Sequence, residues 1–124
     1  MKYTSEFDSL NGICIVRVTG EYHRPEDSDE LKRFAVDYFA EHGCHLFLID
    51  MTQAEVIGGT MAAFNAANPQ GKLAQSLREI KTAFVRQELT RDDLFYENVA
   101  VNRGFQLRAF DTVYKAIEWL KQDK

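Results

Sequence analysis

The chain has 124 residues, a formal net charge of −4, a pI of about 5.3 and 45% hydrophobic residues. This length predicts one domain over residues 1–124, large enough to bury a core without cross-links. The acidic balance and the lack of a dense Lys/Arg run argue against binding to nucleic acid or to an anionic membrane surface. No apolar run approaches the ~20 residues that span a bilayer, and the N-terminus lacks a signal-peptide pattern. We therefore expect a cytoplasmic protein.

The cysteines and histidines predict neither a disulfide framework nor a metal site. Cys14 lies in an apolar run and no CxxC spacing occurs, so we expect Cys14 and Cys44 to be reduced. The spacing of His23, His42 and His45 is not that of a metal-ligand set. We expect no metal and no cofactor.

The first three predicted elements are a β-hairpin and a helix. Residues 2–9 alternate weakly, Asn11-Gly12 is a hairpin signal, and residues 13–19 form a β-branched run that ends at Gly20. Pro25 followed by two acids then favours a helix start, and apolar residues recur at helical spacing up to Gly43.

Strands and helices alternate through the rest of the chain. Residues 46–50 form an apolar strand, residues 59–80 a helical region broken at Asn68-Pro69, and residues 82–85 a short strand. Thr90 with Asp93 predicts a capping box for a helix to about residue 103. Residues 105–110 form the last strand, and Asp111 is the predicted N-cap of the last helix.

This order, β-β-α-β-α-β-α-β-α, predicts an α/β fold. Strands that alternate with helices favour right-handed crossovers and parallel pairing. The expected architecture is a single mixed, mostly parallel sheet with an N-terminal β-hairpin and about four helices.

Two segments resemble STAS domains (sulfate transporter and anti-sigma factor antagonist). Residues 50–60, DMTQAEVIGGT, are similar to a segment in which a strand ending in Asp leads through an Asp-Ser-Ser-Gly-like turn into a helix. Residues 81–85 and 105–120, with the ending AIEWL, resemble the SpoIIAA-like branch, sometimes grouped with Sec14-type lipid-binding folds. The resemblance implies a STAS-like (SpoIIAA-like) fold over most of the chain.

This sequence departs from the STAS pattern at the position that carries the family's phospho-switch. In the anti-sigma antagonists a serine at the helix start is phosphorylated by a partner kinase. Gly59 lines up with that serine, and Gly58 with the preceding Asp. Thr60 is the alternative acceptor, but a shift of one helical position turns the hydroxyl by about 100° around the axis.

The candidate binding residues follow strand ends and the helix start near residue 59. Asp50 and Thr52 either bind a ligand or partner or accept hydrogen bonds from loop amides. The segment from Gly58 to Thr60 either offers backbone N–H groups to an anion or forms a turn with Thr60 as the helix cap. The candidate ligand- or partner-binding residues are Asp50, Thr52, Gly58, Gly59, Thr60, Met61, Phe64 and Arg86.

Two further segments have a structural and a functional interpretation. The charged segment that follows residue 85 is interpreted as a solvated loop, with a partner-binding face as the alternative; it contains Arg86, Glu88, Arg91, Asp92 and Asp93. The small-sided apolar segment from Met61 to Leu77 is interpreted as core. Its alternatives are a groove for a nonpolar ligand and a homodimer surface.

No nucleophile–base or acid–base constellation can be placed by spacing, so an enzyme is disfavoured. The first hypothesis is a non-enzymatic STAS-like protein-interaction or regulatory module without the usual phospho-acceptor serine. The alternative is a carrier or sensor of a small nonpolar, lipid-like ligand.

Overall fold

A computed structural model describes residues 1–122. Its five strands form one sheet in the order β1-β2-β3-β4-β5, in which β1 is antiparallel to β2 and all other neighbours are parallel. The predicted fold class is therefore confirmed. The elements are β1 (Lys2–Asp8), β2 (Ile13–His23), α1 (Glu26–His42), β3 (Leu46–Ile57), α2 (Thr60–Ala66), α3 (Gly71–Leu77), β4 (Lys81–Val85), α4 (Arg91–Asn102), β5 (Gln106–Phe110) and α5 (Val113–Leu120).

Helices cover both faces of the sheet, which explains the nearly continuous apolar strands. Alternate residues of each strand point to opposite faces. On one face, Val16 and Phe47 belong to the larger core cluster, which includes residues of α1 to α4. On the other face, Leu48 and Val85 pack in a smaller cluster with Ala116 of α5.

The β2–β3 pair extends well beyond the rest of the sheet. The sequence predicted that β3 ends at Asp50, but the strand continues to Ile57 and pairs with β2 as far as His23. Only residues 46–50 of β3 pair with β4, so Asp50 lies where β3 leaves β4 rather than at a strand end. The prediction was wrong because polar side chains interrupt the apolar run after Asp50. The extra segment nevertheless has alternating exposure, which is typical of a half-buried strand.

The helix ends follow most of the predicted signals. Gly43 takes a φ of 72° after α1, and Thr90 forms the predicted capping box with Asp93. The helix predicted around residues 59–80 is divided into α2 and α3, so the fold has five helices rather than about four. The N-cap of α5 is Thr112, whose Oγ1 accepts from the Lys115 amide at 3.2 Å, and not Asp111 as predicted.

Both cysteines are buried free thiols. Within residues 1–122, no helix combines the length and apolar character needed to cross a bilayer.

Candidate functional site

The corner between β3 and α2 is built around a close backbone approach at Gly58. Its φ is +127°, a conformation that L side chains rarely adopt. A Cβ placed there would lie 2.9 Å from the Ala62 Cβ and 3.2 Å from the Arg24 carbonyl oxygen. Gly59 differs, because its φ is −94° and a Cβ would meet nothing within 4 Å. Gly58 is therefore required by the turn, whereas Gly59 is open to substitution.

Thr60 ties the start of α2 to α4. The interpretation of Thr60 as the helix cap is wrong, because the N-cap is Gly59 and no side chain caps this end. The Thr60 hydroxyl instead donates a hydrogen bond to Asp92 Oδ1 at 2.9 Å. A phosphoryl group on Thr60 would break this bond and place about two negative charges beside a carboxylate.

Asp50 and Thr52 form a local hydrogen-bonded pair. Asp50 Oδ1 accepts from the Thr52 amide at 3.0 Å and from the Thr52 hydroxyl at 2.7 Å. The Thr52 carbonyl accepts from Gln87 Nε2 at 2.7 Å, which connects β3 to the segment after β4. The carboxylate is thus held against its own strand.

A buried ion-pair cluster lies beneath the first turn of α4. Asp93 is 0% exposed, and its Oδ1 accepts from Arg24 Nη2 at 3.0 Å and from Arg86 Nη1 at 2.8 Å. Its Oδ2 accepts from the Thr90 amide at 2.9 Å. The Arg24 guanidinium also lies over the Tyr96 ring, 4.8 Å from the centroid. For Asp93, the interpretation as part of a solvated loop is wrong.

Arg24 was not among the predicted site residues. No local signal identifies it, because 69 residues separate it from Asp93 and the pair forms only when the turn after β2 meets α4. The capping-box pattern did mark Asp93 as a structural residue. The start of α4 thus joins two predicted groups, since Asp92 contacts Thr60 and Asp93 contacts Arg86.

The paired helices α2 and α4 leave an apolar surface open to solvent, which we call the α2–α4 surface. Phe64 and Phe95 stack between the helices with ring centroids 6.5 Å apart. Met61 on α2 is 70% exposed and Leu94 on α4 is 51% exposed. Each of the two helices that share this aromatic contact therefore also exposes one large apolar side chain.

A cavity of about 70 Å³ lies between the helices and the sheet. One water needs only ~10–15 Å³, so this space exceeds an ordinary packing defect. Its walls come from α1 to α4 on one side and from β2 to β5 on the other, and they include Ala66, Leu77, Met51, Phe84 and Tyr96. The cavity lies under the helical region that the sequence suggested as a groove.

Polar groups collect where α1 lines the cavity. Tyr22 and Ser28 are buried, and a hydrogen bond of 2.6 Å joins their hydroxyls. Burial, reinforced by the neighbouring Tyr96, raises the pKa of Tyr22 well above its ordinary range. The Lys32 Nζ lies 5.6 Å from the Tyr96 ring centroid. This Nζ is buried without a hydrogen-bond partner among the described residues.

Metal-ligating side chains do not converge in the part of the chain that the structure describes. Among residues 1–122, no three His, Cys, Asp or Glu side chains are grouped closely enough to hold a metal ion.

Comparison with known proteins identifies the fold. The structure matches SpoIIAA, an anti-sigma factor antagonist, in its unphosphorylated form, with a TM-score of 0.55 and 9% identity over 98% of this chain and 100% of that chain. The chain has a STAS-domain fold. It also matches a Thermotoga maritima protein assigned as an anti-sigma factor antagonist, with a TM-score of 0.61 and 14% identity over 97% of this chain and 95% of that one. No protein-family model and no curated protein matches the sequence.

Proposed function

We propose that this protein is a non-enzymatic STAS-like module that regulates a protein partner by binding it through the α2–α4 surface. The observation that carries the proposal is the exposure of Met61 on α2 and of Leu94 on α4, the two helices joined by the Phe64–Phe95 stack. Apolar and aromatic side chains of this kind supply the buried centre of most protein interfaces. The matched SpoIIAA is an anti-sigma factor antagonist, which makes a protein partner the natural class.

The module would work without the phospho-switch that the family resemblance implies. Glycine occupies positions 58 and 59, and the nearest hydroxyl, on Thr60, is hydrogen-bonded to Asp92. A phosphate there would be repelled by the Asp92 carboxylate. Control of partner binding would therefore come from a signal other than phosphorylation at the start of α2.

Two matched substitutions test the proposed interface. Met61 and Tyr114 are both large and exposed, at 70% and 74%, but Tyr114 belongs to α5 on the opposite face of the sheet. Met61→Glu should reduce capture of the partner from cell extract at least tenfold, because a carboxylate would be buried in an apolar contact. Tyr114→Glu should leave capture unchanged. Retention of the same partner by Met61→Glu, or its loss from Tyr114→Glu, contradicts the proposed surface.

A second candidate function is the binding of a small nonpolar ligand, as a carrier or a sensor. The cavity of about 70 Å³ beneath α2 and α3 supports it for a very small ligand, since binding sites for small molecules are concave and mostly apolar. The two functions are compatible. A ligand held against α2 from below could alter the surface that α2 presents to a partner.

A further inference from the structure

The cavity contains an unmatched positive charge, and this restricts the chemistry of its ligand. Lys32 lines the cavity, and its Nζ has no hydrogen-bond partner among residues 1–122. Burying an ammonium group without a partner is unfavourable because the group loses its hydration. The Tyr96 ring face compensates in part, at 5.6 Å. An anion beside Lys32 would complete the compensation.

The neighbouring ion-pair cluster supplies no spare negative charge. Asp93 is already shared between Arg24 and Arg86, so two cations there accompany one carboxylate. The cluster thus has one positive charge left over, while Asp27 adds a negative charge near Tyr22. The positive charge left over attracts an anion and disfavours a cationic ligand.

Two hydroxyl groups, one on α1 and one on β2, lie near the Lys32 charge. Ser28 and Lys32 are four residues apart on α1, and side chains at this spacing are neighbours. The Tyr22 hydroxyl reaches Ser28 Oγ at 2.6 Å, and all three residues line the cavity. An ammonium with two hydroxyls offers several hydrogen-bond donors to one small acidic group.

The remaining lining is apolar. Met51 and Phe84 form part of the sheet-side wall, and Ala66, Ala67 and Pro69 form the wall at the junction of α2 and α3. The small side chains at this junction leave room beneath the break between the two helices. An apolar body is the group that fits against such walls.

We propose that the cavity binds a small amphipathic monocarboxylic acid, with its carboxylate at Lys32 and its apolar body between Phe84 and the α2–α3 junction. This inference rests on the second candidate function and adds the charge of the ligand. One ammonium balances one carboxylate, whereas a phosphate monoester carries about 1.5 to 2 negative charges. A wholly nonpolar ligand would leave the Lys32 ammonium unpaired.

The test is a titration of the full ¹⁵N-labelled chain with propionate, 1-propanol and propylamine, followed by amide chemical shifts. These probes share one short alkyl chain, chosen for a cavity of about 70 Å³, and differ in the head group. Propionate should saturate the protein at least tenfold more tightly than 1-propanol, because only the carboxylate is both a hydrogen-bond acceptor and a counterion for the ammonium. Propylamine should bind more weakly still. The shifts should concentrate on α1, on the α2–α3 junction and around Tyr96.

Two lysine variants assign the head group to its site. Lys32→Met should weaken propionate binding about tenfold and leave 1-propanol binding unchanged. Lys72→Met, an exposed position on α3, should change neither. If Lys32→Met does not fold, the ratio of propionate to 1-propanol affinity in the unmodified chain decides the matter.

The outcomes separate the two levels of the proposal. Equal affinity for propionate and 1-propanol, or unchanged propionate binding by Lys32→Met, overturns the carboxylate assignment and leaves nonpolar-ligand binding in place. Failure of every probe to saturate the cavity residues overturns both. Propionate shifts confined to surface residues away from Lys32 also overturn the site.

Discussion

Removing the charge of Asp93 should destabilise the fold strongly. Asp93→Asn keeps the shape of the side chain, but it leaves the guanidinium of Arg24, whose side chain is 2% exposed, without a counterion. It also forces one amide oxygen to serve both the arginines and the Thr90 amide, which now use separate oxygens of Asp93. Breaking one partner of a buried ion pair typically costs about 3–5 kcal/mol.

The expected shift in melting temperature follows from the size of the domain. At ~2.1 cal/mol/K per residue, the chain has an unfolding entropy of about 260 cal/mol/K, so each kcal/mol lowers Tm by about 4 °C. Asp93→Asn should therefore lower Tm by about 12–19 °C in thermal unfolding followed by circular dichroism. The matched control is Asp111→Asn, since Asp111 pairs with Lys115 at 3.1 Å on the surface. Such exposed pairs contribute about 0.3–0.5 kcal/mol, or about 1–2 °C.

The same assay gives the refuting result. If Asp93→Asn shifts Tm no more than Asp111→Asn, the cluster beneath α4 does not stabilise the fold as an ion pair. The cluster would then no longer support an excess of positive charge beside the cavity.

Further predictions concern the β3–α2 corner and the response to alkaline pH. Gly58→Ser should lower the free energy of unfolding by more than about 1 kcal/mol, because φ is +127° and the new Cβ would meet Ala62; Gly59→Ser should be neutral or stabilise by a few tenths of a kcal/mol as an N-cap. Equal effects in urea unfolding would contradict this difference. Burial and the nearby thiol of Cys44 raise the pKa of Cys14 to about 11. The unfolded thiol ionises first, so stability should be complete below its ordinary pKa and decline as the pH rises towards 11. Cys14→Ala should reduce that decline, and an unchanged pH profile would contradict the assignment.

Local signals were sufficient for most elements but not for the long-range contacts. The capping box at Thr90 and the stop at Gly43 were readable because each depends on neighbouring residues. The extension of β3 beyond Asp50 was not, because it depends on pairing with β2. The burial of Asp93 was hidden for the same reason, since its partner Arg24 comes from a distant part of the chain.

The candidate site was predictable only in part. The glycines at 58 and 59 were recognised as a helix start, but the sequence could not distinguish the strained φ of Gly58 from the ordinary φ of Gly59. The apolar run around Met61 pointed to a groove as one alternative. The position of Lys32 against that groove depends on how α1 packs over the sheet, which no spacing along the chain encodes.

The most direct test of the proposed function is photo-crosslinking in cells. A photoreactive phenylalanine analogue is placed in turn at Met61, at Leu94 and, as the control on the opposite face, at Tyr114; all three positions are exposed. The account predicts that one defined protein crosslinks at positions 61 and 94 and not at 114. Crosslinking of that protein at all three positions, or at 114 alone, would contradict binding through the α2–α4 surface.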